Sequence, residues 1–189
     1  GSAGGGLAAG QGVVTEATSN AVTRVDIGLR AEGASVLQVL ARSDVRVDAL
    51  SLGNVVGLGA ALGSTLSTAR NASEARTDVE VIGSLDVFGD IDIRALGRDR
   101  TLGKSVSGNR GFGAALQAGR TTVEVRPTTT TILRGGPVAA IGTVTVASDR
   151  DSQFAAEADS RLAAVSGRSG ARLFSFQDAT IATQIESDI

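Results

Sequence analysis

The chain of 189 residues contains no Cys, His, Tyr, Trp or Met, and five Phe are its only aromatic residues. Without His or Cys there is no imidazole base, no thiolate nucleophile and no usual zinc or iron ligand set. Catalysis would rest on Asp, Glu, Lys, Arg, Ser or Thr alone, and no cofactor is expected. The lack of Cys excludes a disulfide-stapled scaffold, and large exported bacterial proteins often share it. A core with so few aromatics must be built from Val, Ile, Leu and Ala, which suits a narrow interior of stacked, similar layers better than a globular enzyme core. No apolar run approaches the roughly 20 residues of a membrane span. Charge is also sparse and mixed. The net charge is −2, and the basic residues are single Arg scattered along the chain with Lys104 as the one Lys. That pattern carries no basic stripe with interleaved aromatics and argues against nucleic acid as a partner. The start, GSAGGGLAAG, has no charged leader, so it does not read as a signal peptide. The expectation is an internal piece of something longer.

What is present is repetition. GLGAALGSTL at Gly57 to Leu66 and GFGAALQAGR at Gly111 to Arg120 are nearly one phrase, with looser versions at Gly5 to Gly12 and Arg161 to Gly170. A second phrase, two alternating apolar residues followed by a small residue and a charged turn, appears as VLQVLARSD, IDIRALGRD and VTVASDRDS. Placing Ala41, Ala95 and Ala147 in register gives spacings of 54 and 52 residues. Self-similarity at fixed period is the signature of repeat architecture. The units run over 1–52, 53–106, 107–158 and, incompletely, 159–189, within a single domain.

Inside each unit the apolar period is two. Val25 and Ile27, Leu37 and Val39, Val79 and Val81, Ile91 and Ile93, and Val144 and Val146 each flank a polar or outward residue, as strands with one face in and one face out require. These ten residues are the expected core ladder. Gly28, Gly83, Gly89 and Gly142 are the expected turn glycines, where a sharp bend is least costly without a Cβ. The fold class is therefore all-β, a parallel β-helix or β-solenoid. At roughly 20 to 26 residues per coil each unit makes two coils, giving about eight rungs and a rod of roughly 40 Å with open strand edges at both ends. FAAEADSRLAAV at Phe154 to Val165 has helix propensity and is either a helical excursion or an Ala-rich analogue of the glycine phrases.

SAGGGLAAGQGVVTEATSNAVTRVDIG at Ser2 to Gly28, with RTDVEVIG at Arg76 to Gly83, resembles the repeats of filamentous-haemagglutinin-type exoproteins, in particular the leukotoxin-like repeats of large bacterial surface adhesins. The aromatic common in that family's strand is replaced by Val25 and Thr77, and the third unit departs further with RPTTTTILRGG at Arg126 to Gly136. The resemblance implies a right-handed parallel β-helix within a long rod that is secreted to the bacterial cell surface by a dedicated outer-membrane partner. Such rods serve attachment, aggregation or toxin display, with the repeats as stalk. Implied partners are neighbouring repeats of the same or identical chains and host-cell or surface ligands.

Sharper functions are weighed against this. The glycine phrases lack both the dinucleotide spacing and the phosphate-loop Lys, so close backbone packing accounts for them better. The acidic stretches SDVRVD, FGDID and SDRDS lack the calcium nonapeptide and alternate with Arg, which favours outer charge ladders over Ca²⁺ sites. A glycan-cleaving cluster would be Asp90, Asp92, Arg94 and Arg98, but nothing separates it from the other ladders. Ranks of Thr at Thr128 to Thr131 suggest ice binding only if every coil carried them. Asn71-Ala72-Ser73 is a formal glycosylation sequon. No catalytic, cofactor or metal residues are assigned. The expected function is a structural or adhesive segment, and the alternative is a subunit of an extracellular filament that stacks end to end through its open edges.

Overall fold

A computed structural model describes residues 2–72 and 75–188 and has no helix among them. The strands are β1 (Ser2–Ser19), β2 (Val22–Ala34), β3 (Leu37–Asn71), β4 (Arg76–Val87), β5 (Ile91–Val125), β6 (Thr128–Ala140), β7 (Val144–Gln177) and β8 (Thr180–Glu186). Odd strands form one parallel sheet in the order β1-β3-β5-β7, and even strands form a second, β2-β4-β6-β8. Each strand pairs with the one two places later, so the chain coils upon itself in a solenoid-like arrangement.

The register corrects the expected rung count. Val25 pairs with Val79 and Ile91 with Val144, while Ala60 pairs with Ala114. One coil therefore takes a whole sequence unit rather than half of one. The described chain has four layers, not eight, and at ~4.8 Å per layer it rises only about 14 Å between its outer strands.

The long strands are not straight. Asn109 Nδ2 donates to Leu116 O at 3.1 Å, Thr121 Oγ1 reaches Ser105 Oγ at 3.0 Å, and Ser67 Oγ donates to Ala49 O at 2.8 Å. Such contacts require a narrow corner, the tip, at 57–60 and 111–114. Thr131 Oγ1 donates to Ala147 O at 2.8 Å, which places the opposite, wider corner near 141–143. Between the corners the coil is two facing legs, and the leg 91–110 runs roughly 65 Å at ~3.3 Å per residue. The described molecule is a flattened blade, broader than it is tall.

Alternation decides which residues line the interior. Along 91–101 the odd positions Ile91, Ile93, Ala95, Asp99 and Thr101 are buried. The charged stretches expected to be turns therefore continue as strand. Phe154 to Val165 lies wholly within β7, so the segment of high helix propensity is strand, held in register against the β5 run Thr101 to Gly111. Pro127 falls in the break between β5 and β6, where a residue without an N–H removes no bond from a strand.

Apolar burial is strongest at the wide end. Val39, Val79, Val81, Ile91 and Ile93 are buried there together with Leu85 and Leu133, and Val25, Ile27, Leu37, Val144 and Val146 pack against them. A smaller group around Val45, Val47 and Val123 fills the middle of the blade, and Val55, Ala61 and Ala115 fill the tip.

Candidate functional site

Between the wide-end and middle clusters lies a buried charged centre. Asp99 is on the outward leg of one coil, and Arg150 is on the same leg of the next. Their side chains are 0% and 2% exposed. Arg150 Nε donates to Asp99 Oδ2 at 2.6 Å, and its Nη1 donates to Thr129 Oγ1 at 2.7 Å and Thr128 O at 3.1 Å. Asn71 Nδ2 donates to Asp99 Oδ1 at 2.8 Å, and Ser152 Oγ to Oδ2 at 3.1 Å. The pair is therefore fully engaged by protein groups, as a buried charge must be to persist. Gly97 makes room for it, since a Cβ there would meet Arg150 Nη1 at 2.9 Å. The arrangement withdraws the Asp99 carboxylate fully from water, with the partly exposed Ser152 beside it. What it can do is hold two coils in one register, because sliding one coil by a residue would turn its charged side chain outward and leave the other buried without its partner.

Sequence reasoning missed this centre by treating SDRDS as an outer turn. The signal was the unbroken alternation: counting in steps of two from Val144 puts Ser148, Arg150 and Ser152 on the inner face. The same counting places Asn71 inside. It is fully buried, so the formal sequon offers no accessible amide at Asn71, and its Ser73 lies outside the described residues.

A second polar belt crosses the blade nearer the tip. Ser51, Ser67, Ser105, Ser107 and Thr121 are buried. Ser67 bonds the carbonyl of Ala49 on the facing leg, and Asn109 Nδ2 reaches Ala61 O at 3.0 Å. Small hydroxyl side chains suit a gap too narrow for Leu, and they return their hydrogen bonds to the opposing backbone.

The glycine phrase is the tip itself. A Cβ on Gly57 would meet Ala60 O at 2.6 Å, and one on Gly113 would collide with the carbonyl of Gly59 in the coil below. The phrase serves backbone contact between coils. Of the expected turn glycines, Gly89 and Gly142 lie at the wide corner, where an added Cβ would strike the backbone of Ser35 or Gly89. Gly83 has φ +150° and stacks on Leu29. Gly28 differs from the expectation: it lies inside β2 opposite Ile82, with nothing within 4 Å of an added Cβ, so the bend does not require it.

On the outer faces the charges pair locally. Arg46 bonds Asp48 at 2.6 Å, and Glu80 takes Arg24 at 3.3 Å from the coil before it and Arg134 from the coil after it. The Arg24 guanidinium is held above its ordinary value, chiefly by its hydrogen bond to Asp26. Asp90 caps the wide corner by accepting from Thr143 N at 2.8 Å, and Asp92 pairs with Arg94. Within the Asp90, Asp92, Arg94 and Arg98 group, three of the four side chains are thus engaged with near neighbours. Among the described residues no three carboxylates gather to hold a metal. Thr129 and Thr131 point inward while Thr128 and Thr130 point outward, which divides the Thr run between two faces. A surface depression of about 460 Å³ is lined by Asn54, Asn109, Arg110 and Arg161. No helix of the described residues is long and apolar enough to cross a membrane. No family model matches the chain, and neither a curated protein nor a solved structure matches it.

Proposed function

We propose that this chain is a structural or adhesive β-solenoid segment of a large secreted or cell-surface bacterial protein, wound right-handed as parallel crossovers overwhelmingly are. The observation that carries the reading is continuous parallel pairing of coil on coil, with the buried Asp99–Arg150 pair joining one coil to the next. Such a chain spends its chemistry on stiffness. Pulling single molecules from their ends tests it. A stalk unravels coil by coil, in steps of ~190 Å of contour for a coil of about 53 residues at ~3.6 Å each. Featureless extension at low force would end the reading.

A second reading, the subunit of an extracellular filament, is favoured by the outer strands. Leu173, Ile181 and Ile185 lie half exposed directly over the buried Thr121, Thr129 and Leu133, which is where a further coil would stack. Electron microscopy across a concentration series separates the two. Filaments with a 4.8 Å axial spacing support end-to-end stacking, and discrete blades at every concentration exclude it.

A further inference from the structure

Each of the four coils places one large apolar residue at the tip: Leu7, Leu58, Phe112 and Val165, exposed by 78%, 61%, 80% and 85%. They stand in one row, because the flanking residues pair coil to coil, Gly6 with Gly57 and Gly57 with Gly111. The wide corner carries a matching row of Val36, Phe88 and Ile141, each also exposed. Isolated surface apolar residues need no explanation, but a regular ridge on each narrow edge of a blade does.

The charges beside the two ridges are opposite. The tip segments 3–14, 53–66, 107–119 and 160–171 contain Arg110, Arg161 and Arg168 and no Asp or Glu. The wide-corner segments 30–38, 84–92, 136–145 and 187–188 contain Glu32, Asp86, Asp90, Asp92 and Asp188 against a single Arg30. Arg30 is itself paired with Glu32 at 2.6 Å, and Asp92 with Arg94 just beyond its segment, so Asp86, Asp90 and Asp188 are the acids there without an ion pair among the described residues. Arg161 is paired at 2.8 Å with Asp159, just outside its segment, whereas Arg110 and Arg168 make no ion pair among the described residues.

We infer that blades of this chain associate side by side, the tip ridge of one copy seating against the wide-corner ridge of the next. The occupant is a second copy for two reasons. Ridge residues recur at the ~4.8 Å spacing of stacked strands, and only a partner with the same axial repeat engages every coil. The tip and corner also complement each other in charge, whereas tip against tip would oppose Arg to Arg. The contact is heterologous, and with the blades related by translation it repeats without closing and builds a row of parallel blades. This goes beyond both functional readings, since it acts across the blades and is indifferent to what lies above or below the coils.

The test is sedimentation of the whole chain over a concentration series at low and high salt. Wild type is expected to grow in mass with concentration, with association weakened at least tenfold in ~1 M salt as the charges are screened. Arg110→Glu with Arg168→Glu makes both edges acidic, and Glu32→Lys with Asp86→Lys leaves the wide-corner segments with as many basic as acidic groups, removing their attraction for the basic tip. Each double variant alone is expected to stay monomeric with an unchanged circular dichroism melt, and an equimolar mixture of the two is expected to associate again. Restoration in the mixture cannot come from misfolding. A wild type that is monomeric throughout, or assemblies equally stable in both double variants, overturns the proposal. Replacing Phe112 by Ser is a further check that the apolar ridge contributes; undiminished association in that variant also overturns it.

Discussion

The two ends of the blade solve the same problem with different materials. At the wide end Ile91, Ile93, Leu85 and Leu133 fill the interior and are withdrawn from water. At the tip Gly57, Gly111 and Gly113 bring backbone against backbone, and the buried apolar residues are Val55, Ala61 and Ala115. Stability at the wide end comes from apolar area, worth about 25 cal/mol per Å² removed from water. At the tip it comes from ladder hydrogen bonds and hydroxyl contacts that only small residues permit. The wide end should therefore fail when it loses apolar character, and the tip should fail when it gains volume.

Ile93→Asp is the most severe way to press the comparison. Ile93 is stacked between Val39 and Val146 and has no polar partner within reach. An unpaired carboxylate there is expected to cost more than ~4 kcal/mol and to unfold the adjoining coils, since solenoid coils support their nearest neighbours. A urea melt coinciding with wild type would show that the register assigned to the wide end is wrong.

Asp99→Ala addresses the boundary between the two regimes. It strands the Arg150 guanidinium in the interior and is expected to cost about 3–5 kcal/mol. Replacing both partners by apolar residues, Asp99→Leu with Arg150→Leu, is expected to recover most of that loss, because the charges fix register more than they add stability. The decisive comparison is the pair of melting curves. A double variant as unstable as the single one would mean that the centre contributes stability in its own right.

Much of this was legible in the sequence, and the gaps have identifiable causes. The ten ladder residues could be read because Val, Ile and Leu alternate with polar residues over short runs, and all ten fall at the wide end, where the interior is apolar. Toward the tip the inward positions are Ser51, Ser67, Ser105 and Thr121, which hydropathy alone cannot tell from surface residues. The charged centre was hidden in the same way: Asp99 and Arg150 look like outer residues until the alternation is carried through them. Coil length was misjudged because the unit of 52 or 54 residues contains two strand phrases, and period alone does not say whether two strands face each other within one coil or stack as two. Cross-leg bonds such as Ser67 to Ala49 decide that, and they depend on partners that no local pattern names.

Gly113→Ala carries the smallest expected effect and tests the tip alone. The added methyl would press on the carbonyl of Gly59 in the neighbouring coil, a backbone atom that cannot swing aside as the end of a flexible side chain would. Relief requires the two coils to part locally, and the expected loss is about 1–3 kcal/mol, the usual range for overpacking. The same substitution at Gly28, where an added Cβ meets nothing within 4 Å, is expected to leave the melt within ~0.5 kcal/mol of wild type. Hydrogen exchange adds location to magnitude: faster exchange in Gly113→Ala should be confined to the tip segments, with the amides around Ile93 unchanged. Equal melts for the two glycine variants would show that the tip tolerates volume after all. The contrast between an end limited by apolar burial and an end limited by backbone contact would then fail.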